Sequence, residues 1–138
     1  MPETNRQIVL DRLPGAEKLQ PGHFRLTETP APLPGEGEVL VRTRYISLDA
    51  ANRAWMQGAT YRSALQSGQV MAGGALAEVV DSRVEALKPG DLVWADTGWQ
   101  DYAVLPGRRL SKLAPMQPET HLLSVYGVAG LTAYFVLL

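Results

Sequence analysis

The sequence contains no cysteine, which excludes disulfide bridges and thiolate-ligated metal sites. It contains two histidines, His23 and His121, which stand far apart and do not show the ligand spacing of a zinc site. Neither sign of charge predominates, because 13 basic residues are balanced by 14 acidic ones and the net charge is −1. This balance argues against a basic face for nucleic acid, including a barrel that binds single strands.

Long hydrophobic runs are absent as well. No apolar run reaches the length of a transmembrane helix, and the start, MPETNRQIVL, lacks the basic and apolar regions of a signal peptide. We therefore expect a cytoplasmic protein with no membrane partner. The 138 residues, 46% of them hydrophobic, suffice for one domain with a hydrophobic core.

Short β-like runs make up most of the chain, and 13 glycines and 10 prolines separate them. Turn signals recur at a spacing of roughly ten residues, which predicts a barrel or a sandwich. Glycines inside a strand mark a bulge or a close backbone approach, and Gly73-Gly74 interrupts one run in this way. The predicted strands lie in RQIVLDRL, HFRLTETP, EVLVRTRYISL, GQVMAGGALAEVVDS, LKPGDLVW, GWQDYAVL and RRLSKL. The predicted fold class is mainly β, of the α+β type.

Helical signals occur in the middle and at the end of the chain. SLDAANRAWMQ predicts a short helix, with Ser47 or Asp49 as its N-cap and an ion pair between Asp49 and Arg53, four residues apart. PETHLLSVYG predicts a second helix, and AGLTAYFVLL begins a third. We therefore divide the chain into a β domain at 1–118 and a helical segment at 119–138. The last eight residues are almost wholly apolar, which predicts that another surface covers them.

A search for catalytic motifs finds little. The sequence has no phosphate-binding P-loop, and GGALAE does not fit the three spaced glycines of a dinucleotide fingerprint. Two histidines do not yield a Ser-His-Asp set. Taken alone, the residues indicate a β-rich domain without an assigned catalytic group.

The order of four sequence motifs indicates a resemblance to a known protein family. EVLVRTRYISLDAANRAWMQG, GQVMAGGALAEVVDS, LKPGDLVWADTGWQDYAVL and YGVAGLTAYFVLL resemble the N-terminal half of a medium-chain dehydrogenase/reductase. More narrowly, they resemble the zinc-free, NADPH-dependent double-bond reductases, which include prostaglandin, alkenal and curcumin reductases. GLTAY is the most specific piece, whereas KPGD is shared by the whole superfamily. Zinc-containing relatives carry a His-Glu pair near Val70–Gly74, and VMAGG here has none, so no metal is expected.

This resemblance implies a GroES-like β-barrel that covers the substrate, followed by a helix that leads to a Rossmann domain absent from the 138 residues. That domain would hold NADP, and the chain would then return to the barrel. The implied reaction is hydride transfer to the C=C bond of an α,β-unsaturated ketone or aldehyde, with the 138 residues inactive alone. The alternative is a non-catalytic GroES-like module that buries its apolar C-terminus in a homodimer or another chain.

The resemblance also implies cofactor-binding residues. Thr132, in GLTAY, matches a threonine near the nicotinamide, and Val128 and Gly130 would frame the same edge. Relatives usually read Asp-Pro-Tyr-x-Arg where this chain has Ala51 in place of the tyrosine, so Asn52 could supply the polar contact. Thr132 could instead bond the preceding helical turn, and the Asn52 region could be only a capped helix.

Three residues are implied for the substrate. Tyr61 lies in the loop QGATYRSAL, Met71 stands beside Gly73-Gly74, and Arg53 ends the Asp-x-x-x-Arg stretch. Two have simpler alternatives, an exposed loop aromatic for Tyr61 and a core side chain for Met71. Donors must also face the substrate carbonyl oxygen, which gains negative charge in such a reaction.

Overall fold

The computed structural model describes residues 4–138. Within these residues the strands are β1 (Thr4–Leu10), β2 (Phe24–Pro30), β3 (Glu38–Ile46), β4 (Ala75–Ser82), β5 (Leu92–Ala95), β6 (Tyr102–Pro106) and β7 (Ser111–Leu113). The α-helices are α1 (Ala50–Trp55) and α2 (Val128–Leu137). Short 3-10 helices occur at Pro21–His23, Gly107–Arg109 and Glu119–Leu122.

Two antiparallel sheets organise the fold. β1 pairs with β2, and the second sheet has the order β6-β3-β4-β5-β7. Isolated bridges from Gln7 to Gln100 and from Val9 to Val70 connect β1 to segments beside the larger sheet. The predicted mainly β class is thus confirmed. The described strands form two linked sheets, and these pairings do not close a barrel.

The main core lies on one face of the five-stranded sheet. β-Branched and small side chains alternate along β3, β4 and β5, so every second residue points to this face. The cluster consists of Val39, Val41, Ala77, Val79, Leu87, Val93, Ala95 and Ala103. A smaller cluster of Leu10, Met56 and Met71 packs the end of β1 against the region of α1.

The segment after Gly68 differs from its prediction, because the strand begins only at Ala75. Tryptophan side chains cover the two preceding glycines. A Cβ on Gly73 would lie 2.8 Å from Nε1 of Trp99, and a Cβ on Gly74 would lie 2.6 Å from Cζ2 of Trp94. Of the two alternatives predicted for this glycine pair, a bulge or a close approach, the structure shows a close approach, with indole rings as the neighbours and the glycines lying just before the strand.

The C-terminal region also differs from its prediction. PETHLLSVYG forms a 3-10 turn at Glu119–Leu122 instead of a longer helix. Its later N–H groups bond at mixed spacings, with Leu123 bonded to Thr120 and Tyr126 to His121, so no regular helix continues. Across residues 4–138, no helix combines the length and hydropathy that a membrane span requires.

One arginine joins this region to the sheet. Arg44 on β3 contacts Oε2 of Glu78 at 3.1 Å and Oε2 of Glu119 at 3.2 Å. The Glu119 side chain is only 15% exposed, so water screens this pair less than an open surface pair. This ion pair therefore holds the chain segment that precedes α2 against the β domain.

Candidate functional site

Asn52 links the start of α1 to the glycine pair. Asp49 is the N-cap, since its side chain accepts from the backbone N–H of Ala51 at 2.7 Å. The side-chain oxygen of Asn52 accepts from the backbone N–H of Asp49 at 2.8 Å, and its amide donates to the carbonyl oxygen of Ala72 at 3.2 Å. Asn52 is buried. Its amide therefore already has structural partners on both sides and holds the segment before Gly73 against the helix.

Arg53 does not form the predicted ion pair with Asp49. Its Nη2 donates to the carbonyl oxygens of Gly15 at 3.0 Å and Glu17 at 3.2 Å. The guanidinium prefers these carbonyls because the loop between β1 and β2 lies against α1 and offers two acceptors at once. Arg53 thus anchors that loop, and the predicted ion pair between Asp49 and Arg53 is wrong.

The other two predicted substrate residues differ sharply in exposure. Met71 is completely buried beside Leu10 and Met56, so its side chain reaches no surface that a substrate could touch. The core alternative for Met71 is the one that the structure shows. Tyr61, by contrast, is 81% exposed and places its ring edge-on to Trp55, with 6.1 Å between the centroids.

Helix α2 carries the predicted cofactor residues. The hydroxyl of Thr132 donates to the carbonyl oxygen of Val128 at 2.8 Å, which is the preceding-turn bond of the simpler alternative. Thr132 itself remains exposed, and a hydroxyl that donates once keeps lone pairs for an incoming donor. At Gly130, a Cβ would lie 1.8 Å from the carbonyl oxygen of Val125. The close approach at Gly130 is thus to the chain's own backbone.

The surface of α2 is apolar all round. A helix with this distribution is normally enclosed on all sides, yet here large apolar side chains are exposed along its whole length. They are Val128, Leu131, Tyr134, Phe135, Val136 and Leu137, and Leu138 directly after the helix is exposed as well. The sequence of α2 has no basic residue that could pair with a phosphate group.

An open cleft of about 550 Å³ lies between the two sheets, and none of the predicted site residues lines it. Apolar side chains from β1, β2 and β3 form one part of its wall, and charged and amide groups form the other. It is lined by Arg6, Gln7, Ile8, Leu26, Thr43, Arg44, Tyr45, Ile46, Trp99, Gln100 and Asp101. Its size suits a small molecule or a chain segment. Sequence patterns missed this cleft, because its residues come from four separate parts of the chain.

An ion pair sits at one edge of the cleft. Nε of Arg6 is 2.7 Å from Oδ2 of Asp101, and Nη2 is 3.2 Å from Oδ1. The side-chain hydrogen bond from Arg6 keeps the pKa of Asp101 below its usual range although partial burial opposes this, and the backbone N–H and the positive charge of Arg6 act in the same direction. The same contact raises the pKa of Arg6. Both groups are therefore charged near neutral pH.

A second polar cluster was also missed. The guanidinium carbon of Arg62 lies 4.4 Å from the centroid of the Trp55 ring, and its Nη2 contacts Oδ2 of Asp96 at 2.6 Å. The three residues belong to α1, to the loop after it and to the segment after β5. Only Trp55, a large aromatic at the end of a short helix, offered a sequence signal for this cluster.

The side chains of residues 4–138 include no group of three or more histidines or carboxylates that could hold a metal ion. His23, one of the two histidines, is fully buried, and its Nδ1 accepts from the backbone N–H of Gln20 at 2.9 Å. This side chain orders the turn before β2 and is not available as a surface ligand.

With this geometry in place, comparison with known proteins identifies the class. The family described as the N-terminal domain of oxidoreductase matches residues 6–113. The chain belongs to this family. The resemblance to curcumin, prostaglandin and alkenal reductases is confirmed by relatives that match over most of the chain.

Three similar proteins show how much of the chain is matched and how much of their own length it covers. The NADPH-dependent curcumin reductase of Escherichia coli (strain K12) is 40% identical over 99% of this chain and 40% of its own length. Prostaglandin reductase 1 of Bos taurus is 34% identical over 83% of this chain and 34% of its own. The crystal structure of CurA in complex with NADPH, from Vibrio vulnificus, matches with a TM-score of 0.84 at 37% identity, over 96% of this chain and 40% of that one. The chain thus spans about 40% of the length of the first relatives it matches.

Proposed function

We propose that this chain is the substrate-covering part of an NADP-dependent oxidoreductase that reduces the C=C bond of α,β-unsaturated ketones or aldehydes. The observation that carries the proposal is the match, over nearly the whole chain, to a curcumin reductase and to a CurA structure that contains NADPH. The reaction would need a nucleotide-binding half, since the chain corresponds to about 40% of those proteins.

The residues present fit one end of the cofactor. NADPH, when bound, supplies the hydride. Thr132 is exposed on α2 and keeps acceptor capacity for a carboxamide N–H, and the exposed Val128 offers an apolar edge beside it. Asn52 would act indirectly, because its amide is engaged with Asp49 and Ala72. The phosphates would have to be held by residues outside α2.

Two open surfaces support a larger assembly. The apolar side chains of α2 and the cleft between the sheets both expose groups that proteins normally cover. We propose that α2 packs against the nucleotide-binding half, and that further chain returning to the β domain would fill the cleft and complete a GroES-like barrel. The partners would then be an enone or enal substrate and this second half.

The alternative is a non-catalytic binding or oligomerisation module. The observation in its favour is the apolar α2 itself, because two copies could bury it against each other as a homodimer. This alternative requires no cofactor contact at Thr132, whereas the reductase proposal does.

The deciding experiment measures NADPH oxidation with a 2-alkenal and with an aryl enone. It compares the 138 residues alone with the same residues in a chain extended by a nucleotide-binding half. We expect turnover only in the extended chain. Turnover by the 138 residues alone would overturn the two-part account, and no turnover in either form would count against reductase activity.

A further inference from the structure

One arginine of the five-stranded sheet contacts carboxylates on two different parts of the chain. Nη1 of Arg44 lies 3.1 Å from Oε2 of Glu78, and Nη2 lies 3.2 Å from Oε2 of Glu119. Glu78 belongs to β4, and Glu119 begins the 3-10 helix that precedes α2. A guanidinium presents its nitrogens in a rigid planar fork, so the contact with Glu78 also fixes where Nη2 points. The sheet therefore sets the direction from which Arg44 holds Glu119.

The turn after Glu119 is hydrogen-bonded continuously into α2. The carbonyl oxygen of Thr120 accepts from the N–H of Ser124 at 3.2 Å and from its hydroxyl at 3.0 Å. The carbonyl oxygen of Ser124 in turn accepts from the N–H groups of Gly127 at 3.2 Å and of Gly130 at 3.0 Å. Gly130 already belongs to α2. Because one set of bonds joins the turn to the helix, we expect a change in the position of Glu119 to be carried to α2.

The turn and α2 have few other polar contacts with the β domain. Within residues 4–138, the hydrogen bonds of 119–137 outside the helix ladder are made to partners in 118–131. The ion pair between Arg44 and Glu119 is the one that joins this described stretch to a strand. The large apolar side chains of α2 are exposed, so packing against the strands does not fix the helix either. A single ion pair thus has a large share in the orientation of α2.

We propose that Arg44 is a positioning residue, which acts through Glu119 to set the direction in which α2 leaves the β domain. This inference rests on the proposed reductase function, in which α2 carries Thr132 and leads to the nucleotide-binding half. Hydride transfer depends on the alignment of the two reactants, and a misplacement of about 1 Å can cost much of the rate. Loss of the ion pair should therefore lower kcat more than it raises the KM for the enal.

The first test measures the direction of α2 in the 138-residue chain. Because the sequence has no cysteine, spin labels can be attached at E85C and V136C, which replace exposed side chains of the β domain and of α2. Distances are recorded in an excess of unlabelled chain, so that only labels within one molecule contribute. We expect one narrow distribution without further changes, and a distribution about twice as broad in Arg44→Gln and in Glu119→Gln.

The control for both tests is Arg25→Gln, which removes an exposed ion pair with Asp11 elsewhere on the β domain. It should leave the distance distribution and the kinetic constants unchanged. A broadening in R25Q equal to that in E119Q would overturn the inference, because the effect would then not be specific to Arg44.

The second test uses the extended chain with NADPH and a 2-alkenal. In R44Q and E119Q we expect kcat to fall about three- to tenfold, with the enal KM changed less than about twofold. The double variant R44Q/E119Q should lose no more than R44Q alone, because both substitutions remove the same ion pair. Arg44→Lys keeps the charge without the planar fork and should give an intermediate kcat.

Three results would overturn the inference, namely an unchanged distance distribution in E119Q, a broadened distribution with an unchanged kcat, and losses that add in the double variant. If the unmodified extended chain reduces no enal, the proposed function fails and the role in the reaction with it. The distance measurement needs no activity, so it still decides whether Arg44 orients α2.

Discussion

Arg6 and Asp101 form a two-point ion pair that joins β1 to the segment leading into β6, with contacts of 2.7 and 3.2 Å. The backbone N–H of Arg6 also donates to Oδ2 of Asp101 at 3.3 Å. The pair therefore connects the small sheet to the large one at the edge of the cleft.

Replacing Asp101 with Asn should lower the midpoint of thermal unfolding at pH 7 by about 2–4 °C. Because the pKa of Asp101 is lowered in the folded state, its stabilising contribution is complete above the ordinary carboxyl pKa of about 4 and is lost as the pH falls through the lowered value. The unfolding midpoints of D101N and the unmodified chain should thus converge at acidic pH, once the pH lies below the lowered pKa of Asp101. Asp11→Asn is the control, since its carboxylate contacts Arg25 through one oxygen only and is 51% exposed, against 35% for Asp101. A D101N loss that persists unchanged at acidic pH would contradict the ion-pair account.

Replacing Asn52 with Leu should lower the free energy of unfolding by about 1–3 kcal/mol, because the backbone N–H of Asp49 and the carbonyl oxygen of Ala72 each lose a partly buried hydrogen bond. Urea denaturation measures this loss. Asn52→Asp keeps the acceptor for the Asp49 N–H but cannot donate to Ala72, so we expect an intermediate value at neutral pH. An N52L chain as stable as the original would show that this link is not structural.

Replacing Gly130 with Ala should disturb the junction before α2, because the new Cβ would lie 1.8 Å from a backbone oxygen of Val125. We expect a local loss of about 1–3 kcal/mol, seen as faster amide exchange along Val128–Leu137. Gly22→Ala is the matched control, since a Cβ there meets nothing within 4 Å. Equal exchange in both variants would reject the steric argument.

Variants of Thr132 should separate its two candidate roles. Thr132 is exposed, so Thr132→Val should leave the stability of the 138-residue chain nearly unchanged. In the extended chain, T132V should raise the KM for NADPH about three- to tenfold through the loss of one hydrogen bond, and Thr132→Ser should not. If T132V leaves the NADPH KM unaltered, only the helix-turn role remains.

The exposed face of α2 should cause self-association of the 138-residue chain. In light scattering at rising concentration, we expect a mass above the 15.0 kDa of one chain, and a monomer for a version that ends at Gly127. The double variant L131S/F135S should also be monomeric, because it makes two exposed apolar positions of α2 polar. Monomeric masses for all three would remove the homodimer proposal.

Several features could be read from local sequence. The alternation in EVLVRTRYISL placed β3. Residue chemistry at the helix start reduced the N-cap to Ser47 or Asp49, and Asp49 is the cap. The glycine pair predicted a bulge or a close approach, and the close approach is present. These features depend on neighbours within a few residues, so their physical cause is present in the local chain. The motif order also sufficed to identify the family.

Tertiary structure alone decided which partners the longer side chains find. Arg53 bonds carbonyls 38 and 36 residues away in place of Asp49, four residues away, and Arg62 reaches Asp96 across the fold. A flexible cationic side chain takes the best acceptors that folding brings near, and sequence spacing does not encode these. The burial of Met71 and the cleft between the sheets have the same origin, since both arise only when distant strands pack together. Local sequence thus determined most of the elements and the family, and packing decided what each predicted site residue contacts.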